Sequence, residues 1–350
     1  MKKDIRSLTF EELSGTLEAM GEKRYRAGQI YSWLHEKQVS DFEQMTNLSR
    51  PLRQKLADNF FLTVLEAVQV LTSKLDGTRK YLFRLSDGNV IESVWMEYHH
   101  GASVCISSQV GCRMGCRFCA STLDGLVRNL EPSEMLEQIY RMQEHMGRRI
   151  SSVVVMGSGE PFDNYDNFVK FVRILTDPRG LGLSARSVTV STCGLPDRIR
   201  DLAGEGLPVT LALSLHAPDD EKRRQLMPVA NKYSIKEVLA ACDTYFEKTG
   251  RRVSFEYSLV GDVNDTEEEA RALAALLGKR NCHVNLIPVN PIKERKYVRS
   301  GGAAAANFKN ILEKSGINVT IRREMGRDIN GACGQLRRSY QEERPGKVSL

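Results

Sequence analysis

Between residues 103 and 323 short apolar runs alternate with longer stretches of helical spacing, and no other feature restricts the fold as much. Strands are expected at 103–106, 152–156, 187–191, 209–215, 253–259, 283–288 and 318–322. Helices are expected between them, among them 132–145, 234–248, 267–278 and 303–314. Strands separated by helices long enough to recross a sheet pair in parallel through right-handed connections. Six such βα units and a closing strand fall short of an eight-unit barrel and suit a partial one, although an open doubly wound sheet yields the same string. In both architectures ligands gather at the carboxyl ends of the strands, so the residues just after each strand are where chemistry is sought.

The flanking segments differ in texture. Residues 1–65 carry helix formers at helical spacing with short turns and read as a small helical domain, with a basic run at 23–26. Residues 66–100 change to a period of two. Lys80 to Leu85, a turn at Asp87-Gly88, and Val90 to Met96 predict a β-hairpin extension. The partial barrel is then expected over 101–325, followed by a C-terminal loop and tail over 326–350. No run approaches the roughly 18–20 apolar residues that cross a bilayer, and the basic start has no apolar segment behind it. The expectation is a cytoplasmic protein without membrane association. In that setting its eight cysteines read as metal ligands, catalytic thiols or buried side chains rather than a disulfide framework. The net charge of +6 permits a polyanionic partner without demanding one.

Cys112, Cys116 and Cys119 form a C-x3-C-x2-C run just after the first of these strands. Three thiolates within eight residues can converge on one soft metal centre, and three ligands leave a coordination position open for chemistry. A structural zinc site completed by Cys105 or His99, and a closed electron-transfer cluster with Cys105 as fourth thiolate, are the competing readings. Other strand ends are polar: Gly157-Ser-Gly159-Glu160, Ser191-Thr192, Ser214-Leu215-His216 and Pro288-Val-Asn290. Together they make a rim suited to ribose, carboxylate and adenine.

The cysteine run after the first strand of a partial barrel resembles the radical S-adenosylmethionine (SAM) superfamily. The wider set of motifs resembles one family within it, the RNA adenine methyltransferases of the RlmN and Cfr group. It comprises Cys105-Ile-Ser-Ser-Gln-Val-Gly-Cys112 through Cys119-Ala-Ser-Thr122, Gly159-Glu160-Pro161, Ser214-Leu215-His216, Pro288-Val-Asn290-Pro291 and Ala332-Cys333-Gly-Gln-Leu336. With the small N-terminal helical domain it covers nearly the whole chain.

That resemblance implies an α/β fold with a partial (β/α)6 barrel, and a 4Fe-4S cluster held by Cys112, Cys116 and Cys119. It also implies two SAM molecules per turnover, with cofactor contacts from Gly159, Glu160, Ser191, Ser214, Leu215, His216 and Asn290. Cys333 would be methylated by one SAM. A deoxyadenosyl radical from the second would take a hydrogen from the S-methyl group, and the methylene radical would add to an adenine carbon. Cys105 would help remove the ring proton and release the product through a transient Cys105–Cys333 disulfide, with Glu92 at the family's general-base position. C2 of adenine is an electron-poor carbon that polar methyl transfer cannot reach, whereas a carbon radical can add to it. The implied partners are 23S rRNA, the adenosine 3′ to the tRNA anticodon in some members, and a low-potential donor such as flavodoxin or ferredoxin. Val110 and Gly159-Glu160-Pro161-Phe-Asp163 match the group acting on C2. The C8 group, which has Glu-Ala after the glycine and a further cysteine near position 110, is the near alternative. A metal-stabilised RNA-binding protein without catalysis is the distant one. Ser158, where methionine is common, and Glu324-Met-Gly-Arg-Asp328 depart from the family pattern without touching a reactive group.

Overall fold

The computed structural model describes residues 2–99, 101–292 and 294–329. Near the amino terminus, α1 (Phe10–Ala19), α2 (Tyr25–His35) and α3 (Arg50–Asn59) form a helical unit. It is closed by a short parallel pairing of Lys3–Asp4 with Phe60–Phe61. A reciprocal capping box between Thr9 and Glu12 starts α1. One buried charge group locks this unit to the rest of the protein. Arg6 pairs with Glu137 and donates to the Thr63 carbonyl at 2.7 Å, and Glu137 also accepts from the Leu65 N–H at 3.1 Å.

The core of the protein is a ten-stranded mixed sheet. β1 (Glu66–Thr72), β2 (Arg79–Arg84) and β3 (Val90–Tyr98) are antiparallel, and β3 pairs antiparallel with β4 (Gly101–Ile106). From β4 onward every pairing is parallel: β5 (Ser152–Val155), β6 (Val188–Thr192), β7 (Thr210–Ser214), β8 (Val253–Leu259), β9 (Cys282–Pro288) and β10 (Asn318–Ile321). Seven parallel strands and six connecting units match the alternation in the sequence. The connections carry α4 (Pro132–Met146), α5 (Tyr165–Thr176), α6 (Pro196–Gly204), α7 (Asp220–Leu226) with α8 (Ile235–Thr249), α9 (Glu267–Leu277) and α10 (Gly302–Lys314).

The expected hairpin is present, with Gly88 at φ +84° in its turn. It is not a separate module. A third strand, β1, joins it, and the β3–β4 pairing makes all three strands a continuation of the parallel sheet. Tyr81, Leu82 and Phe83 are all buried, because this part of the sheet is covered on both faces.

Strand alternation sorts the side chains into two faces. Val104, Val153, Val190, Leu211, Phe255 and Val284 lie on one and form the apolar core. On the other, register aligns Cys105 with Val94 and Val154, and aligns Ser214, Glu256, Asn285 and Thr320 in one row. Lys80 and Glu92 belong to this second, polar face through their pairings with Val94 and Leu82.

Candidate active site

The cysteine run leaves β4 through a short antiparallel ribbon of Gln109–Gly111 with Leu126–Asn129. Gly111 has φ +73°, and a Cβ there would lie 2.0 Å from the Gly125 carbonyl oxygen, so this close crossing needs glycine. The Cys112 N–H donates to that same oxygen at 2.9 Å. Thr122 Oγ1 donates to the carbonyls of Cys116 (3.1 Å) and Cys119 (2.9 Å), and the Arg117 N–H donates to the Leu226 carbonyl at 2.9 Å. The loop is thereby pinned between the ribbon and the end of α7.

Cys112, Cys116 and Cys119 all line one cavity of about 230 Å³ at the carboxyl ends of the parallel strands. Burial pushes the Cys112 thiol up to about 12 and the Cys116 thiol well above its ordinary value, and the neighbouring thiols add to both effects. Thiols that resist ionisation alone but crowd one cavity are matched to a cationic metal core that compensates their charge. Among the described residues no three His, Cys, Asp or Glu side chains are gathered closely enough for a single ion. His99 follows β3, whose last residue Tyr98 pairs with Gly101 at the far end of β4 from Cys112, so it cannot complete a zinc site with these thiols. Three soft donors around an open cavity fit a cluster with a free coordination position.

The remaining candidates that line this cavity come from four strand ends: Gly159 and Glu160, Ser191, Ser214, His216 and Asn290. Gly159 sits at φ +109°, and a Cβ would lie 2.6 Å from the Gln109 side chain and 2.7 Å from its backbone nitrogen. Glu160 is buried, which raises its pKa, and its two oxygens accept from the N–H groups of Phe162 (3.0 Å) and Cys193 (2.8 Å). Ser191 and Ser214 place their hydroxyls 3.3 Å apart across β6 and β7. His216 adopts φ +58°, and its Nδ1 accepts from the Ser258 N–H at 2.8 Å while its ring meets Phe118 edge-on at 4.8 Å. Burial pushes its pKa down to about 3, so at neutral pH the proton is on Nε2. The Leu215 side chain packs in the core, and its N–H donates to the Glu256 carbonyl at 3.0 Å. Ser158 is buried with its hydroxyl 3.1 Å from that of Ser121, which accommodates the serine at this position.

Cys105 and Glu92 are not among the residues that line the cavity; they lie on the adjoining strands β4 and β3. Val94 faces Cys105 across the pairing, Glu92 is two residues along from Val94, and the Ser107 hydroxyl holds the Glu92 carbonyl at 2.7 Å. Glu92 forms a buried ion pair with Lys80. Cys333 lies outside the described residues, and so does the expected Cys105–Cys333 disulfide; no disulfide joins the described cysteines. The chain leading to Cys333 is clasped by the β1–β2 turn. The Ser73 hydroxyl (2.6 Å) and Lys74 N–H (2.8 Å) donate to Asp328, and the Gly326 N–H donates to Asp76 at 2.9 Å.

Three cavity residues escape a reading by motif. Cys193 packs beside Cys116 and Phe118. Glu256 accepts from Asn285 at 2.8 Å and from Ser254 at 3.3 Å, and burial raises its pKa. Arg322, just past the end of β10, lines the cavity as well. Polar residues at every second position of Ser254-Phe-Glu256-Tyr-Ser258 are the sequence signal of a strand with one face in a polar lumen. No helix among the described residues is long and apolar enough to cross a membrane.

Comparison with known proteins agrees with this geometry. The radical SAM superfamily profile matches residues 106–276, and the ribosomal RNA large subunit methyltransferase N-terminal domain matches residues 3–62. A probable dual-specificity RNA methyltransferase RlmN from Lachnoclostridium phytofermentans is 64% identical over 98% of this chain and 96% of its own. The protein of that name from Lachnospira eligens is 62% identical over 97% of each. A radical SAM methyltransferase from Sphaerobacter thermophilus superimposes with a TM-score of 0.91 at 44% identity, covering 95% of this chain and 98% of that one.

Proposed function

This chain belongs to the RlmN family of radical SAM RNA methyltransferases, and on that premise we propose that it methylates C2 of an adenosine in 23S rRNA at the peptidyl transferase centre. The adenosine 3′ to the tRNA anticodon is its second substrate. The observation that carries the reading is one cavity walled by Cys112, Cys116, Cys119, Glu160, Ser214 and His216, with Cys105 and Glu92 on the adjoining strands of the same sheet face.

Cys112, Cys116 and Cys119 would hold a 4Fe-4S cluster, and Gly159, Glu160, Ser191, Ser214, His216 and Asn290 would hold SAM, with Leu215 fixing the backbone between Ser214 and His216. Bound there, the two would supply a hydrogen-abstracting radical inside the cavity. Glu160 accepts from the methionine ammonium, adding to the two backbone donors it already has. His216 stays neutral and presents Nε2–H to the ligand. Phe118 shields the thiol loop from solvent.

Cys333 carries the methyl group that reaches the RNA, and Cys105, with Glu92 as base, removes the ring proton and frees the product, leaving a transient Cys105–Cys333 disulfide. Val110, buried in the ribbon before Cys112, and the Glu160-Pro161 turn favour C2 over C8 as the target. A cytoplasmic flavodoxin or ferredoxin supplies the electron.

A Cys333→Ala variant separates the two halves of this chemistry. With the cluster reconstituted, it cleaves SAM reductively and transfers no methyl group to RNA. Methylation at the wild-type rate would contradict the role given to Cys333.

A further inference from the structure

Arg223, in α7, is fully buried. Its Nη2 donates to the Cys193 carbonyl at 2.7 Å and its Nε to the Leu215 carbonyl at 3.2 Å, while Nη1 has no hydrogen-bond partner among the described residues. No carboxylate among those residues is within ion-pair distance of it. Asp220, three residues earlier on α7, accepts instead from the Ile235 N–H at 2.7 Å. An unpaired buried guanidinium is strongly unfavourable unless an anion is close by.

The surroundings indicate where that anion arrives. Leu226, one turn after Arg223, accepts from the Arg117 N–H in the middle of the cysteine run. Leu226 and Met227 pack with Cys193, Cys116 and Phe118. Gly115 rests on Pro228, with 3.3 Å between its ideal Cβ position and that ring. The guanidinium is therefore held behind the cysteine run, with the Cys193 backbone between it and the cavity.

We propose that Arg223 is the buried counter-charge of the thiolate-ligated cluster, a positioning residue that favours its reduced state. The inference rests on Cys112, Cys116 and Cys119 being the cluster ligands. Three thiolates around a 4Fe-4S core leave a net negative charge, and reduction adds one more. A fixed cation at short range in a low-dielectric interior stabilises the more negative state and raises the reduction potential. Arg223 does not line the cavity, so it acts through the electrostatic field and through the Cys193 and Leu215 carbonyls it holds.

The test uses the full chain reconstituted anaerobically with iron and sulfide, as wild type, Arg223→Gln and Arg223→Lys. Iron content, the cluster midpoint potential followed by EPR, and the melting temperature with and without the cluster are the readouts. Arg223→Gln is expected to keep its iron, to have a more negative midpoint, and to gain less melting temperature on cluster loading. Arg223→Lys is expected to stay near wild type. Where Arg223→Gln does not fold, Asp220→Asn keeps the test open, because removing the nearby negative charge should move the midpoint in the positive direction. An unchanged midpoint in Arg223→Gln, or in Asp220→Asn where that variant decides, would overturn the proposal. A wild-type protein that takes up no cluster would overturn the ligand assignment itself.

Discussion

Lys80 Nζ lies 3.3 Å from Glu92 Oε2, and both side chains are almost wholly removed from water. The pair stands on the sheet face that carries Cys105, with Glu92 one strand and Lys80 two strands from the thiol. Removing one member of a buried pair costs more stability than removing both together. Lys80→Met is therefore expected to lower stability by about 3–5 kcal/mol, and the Lys80→Met/Glu92→Gln double variant to recover much of that loss. Urea denaturation of the four proteins in the cycle measures it, and additive losses would show that the two groups do not interact.

The Gly157–Glu160 turn depends on the absence of a side chain at Gly159, where a Cβ would be within 2.8 Å of three atoms of Gln109 and Ser108. At φ +109° the backbone is also in a region that L residues avoid. Gly159→Ala should push Glu160 away from the cavity and weaken SAM binding by at least about tenfold, as read by isothermal titration on the reconstituted protein. Unaltered affinity would mean that this turn does not contact the cofactor.

His216 gives the protein a specific acid sensitivity. The unfolded imidazole binds a proton near pH 6.5, and the folded one, holding the Ser258 N–H on Nδ1, not until about 3. The unfolded state thus binds more protons between those values. Stability is complete above about pH 6.5 and declines as pH falls toward 3, by up to a few kcal/mol. His216→Gln should flatten the fall in the urea midpoint between pH 6.5 and 4. Equal slopes in the two proteins would contradict this assignment.

The clasp around Asp328 sets the origin of the segment that carries Cys333, which follows five residues later and so within about 18 Å of extended chain. Asp328→Ala loses the acceptor for Ser73 and Lys74. Expected are unchanged iron content and SAM cleavage, with methyl transfer reduced about tenfold or more. A loss of SAM cleavage in proportion would instead place Asp328 in the support of the cofactor site.

Much of this architecture is legible in the sequence, because strand and helix periods alternate cleanly and the cysteine spacing is rare. Chain boundaries of β4 to β10 follow from apolar runs that are covered by helices on one face. What stays hidden depends on contacts between distant segments. Glu256 reads as an ordinary acid in a strand, and only the curled parallel sheet turns it inward beside Asn285. The burial of the Lys80–Glu92 pair follows only once β3 pairs with β4 and extends the sheet. The Asp328 clasp joins residues 255 positions apart, a separation that no local pattern encodes.

The position of the methyl group on the base separates C2 from C8 chemistry. The reconstituted protein, given reductant, SAM and protein-free 23S rRNA, should produce 2-methyladenosine, identified by mass spectrometry of the digested nucleosides against standards. Finding 8-methyladenosine, or no methyladenosine from a protein that holds its cluster and cleaves SAM, would contradict the account.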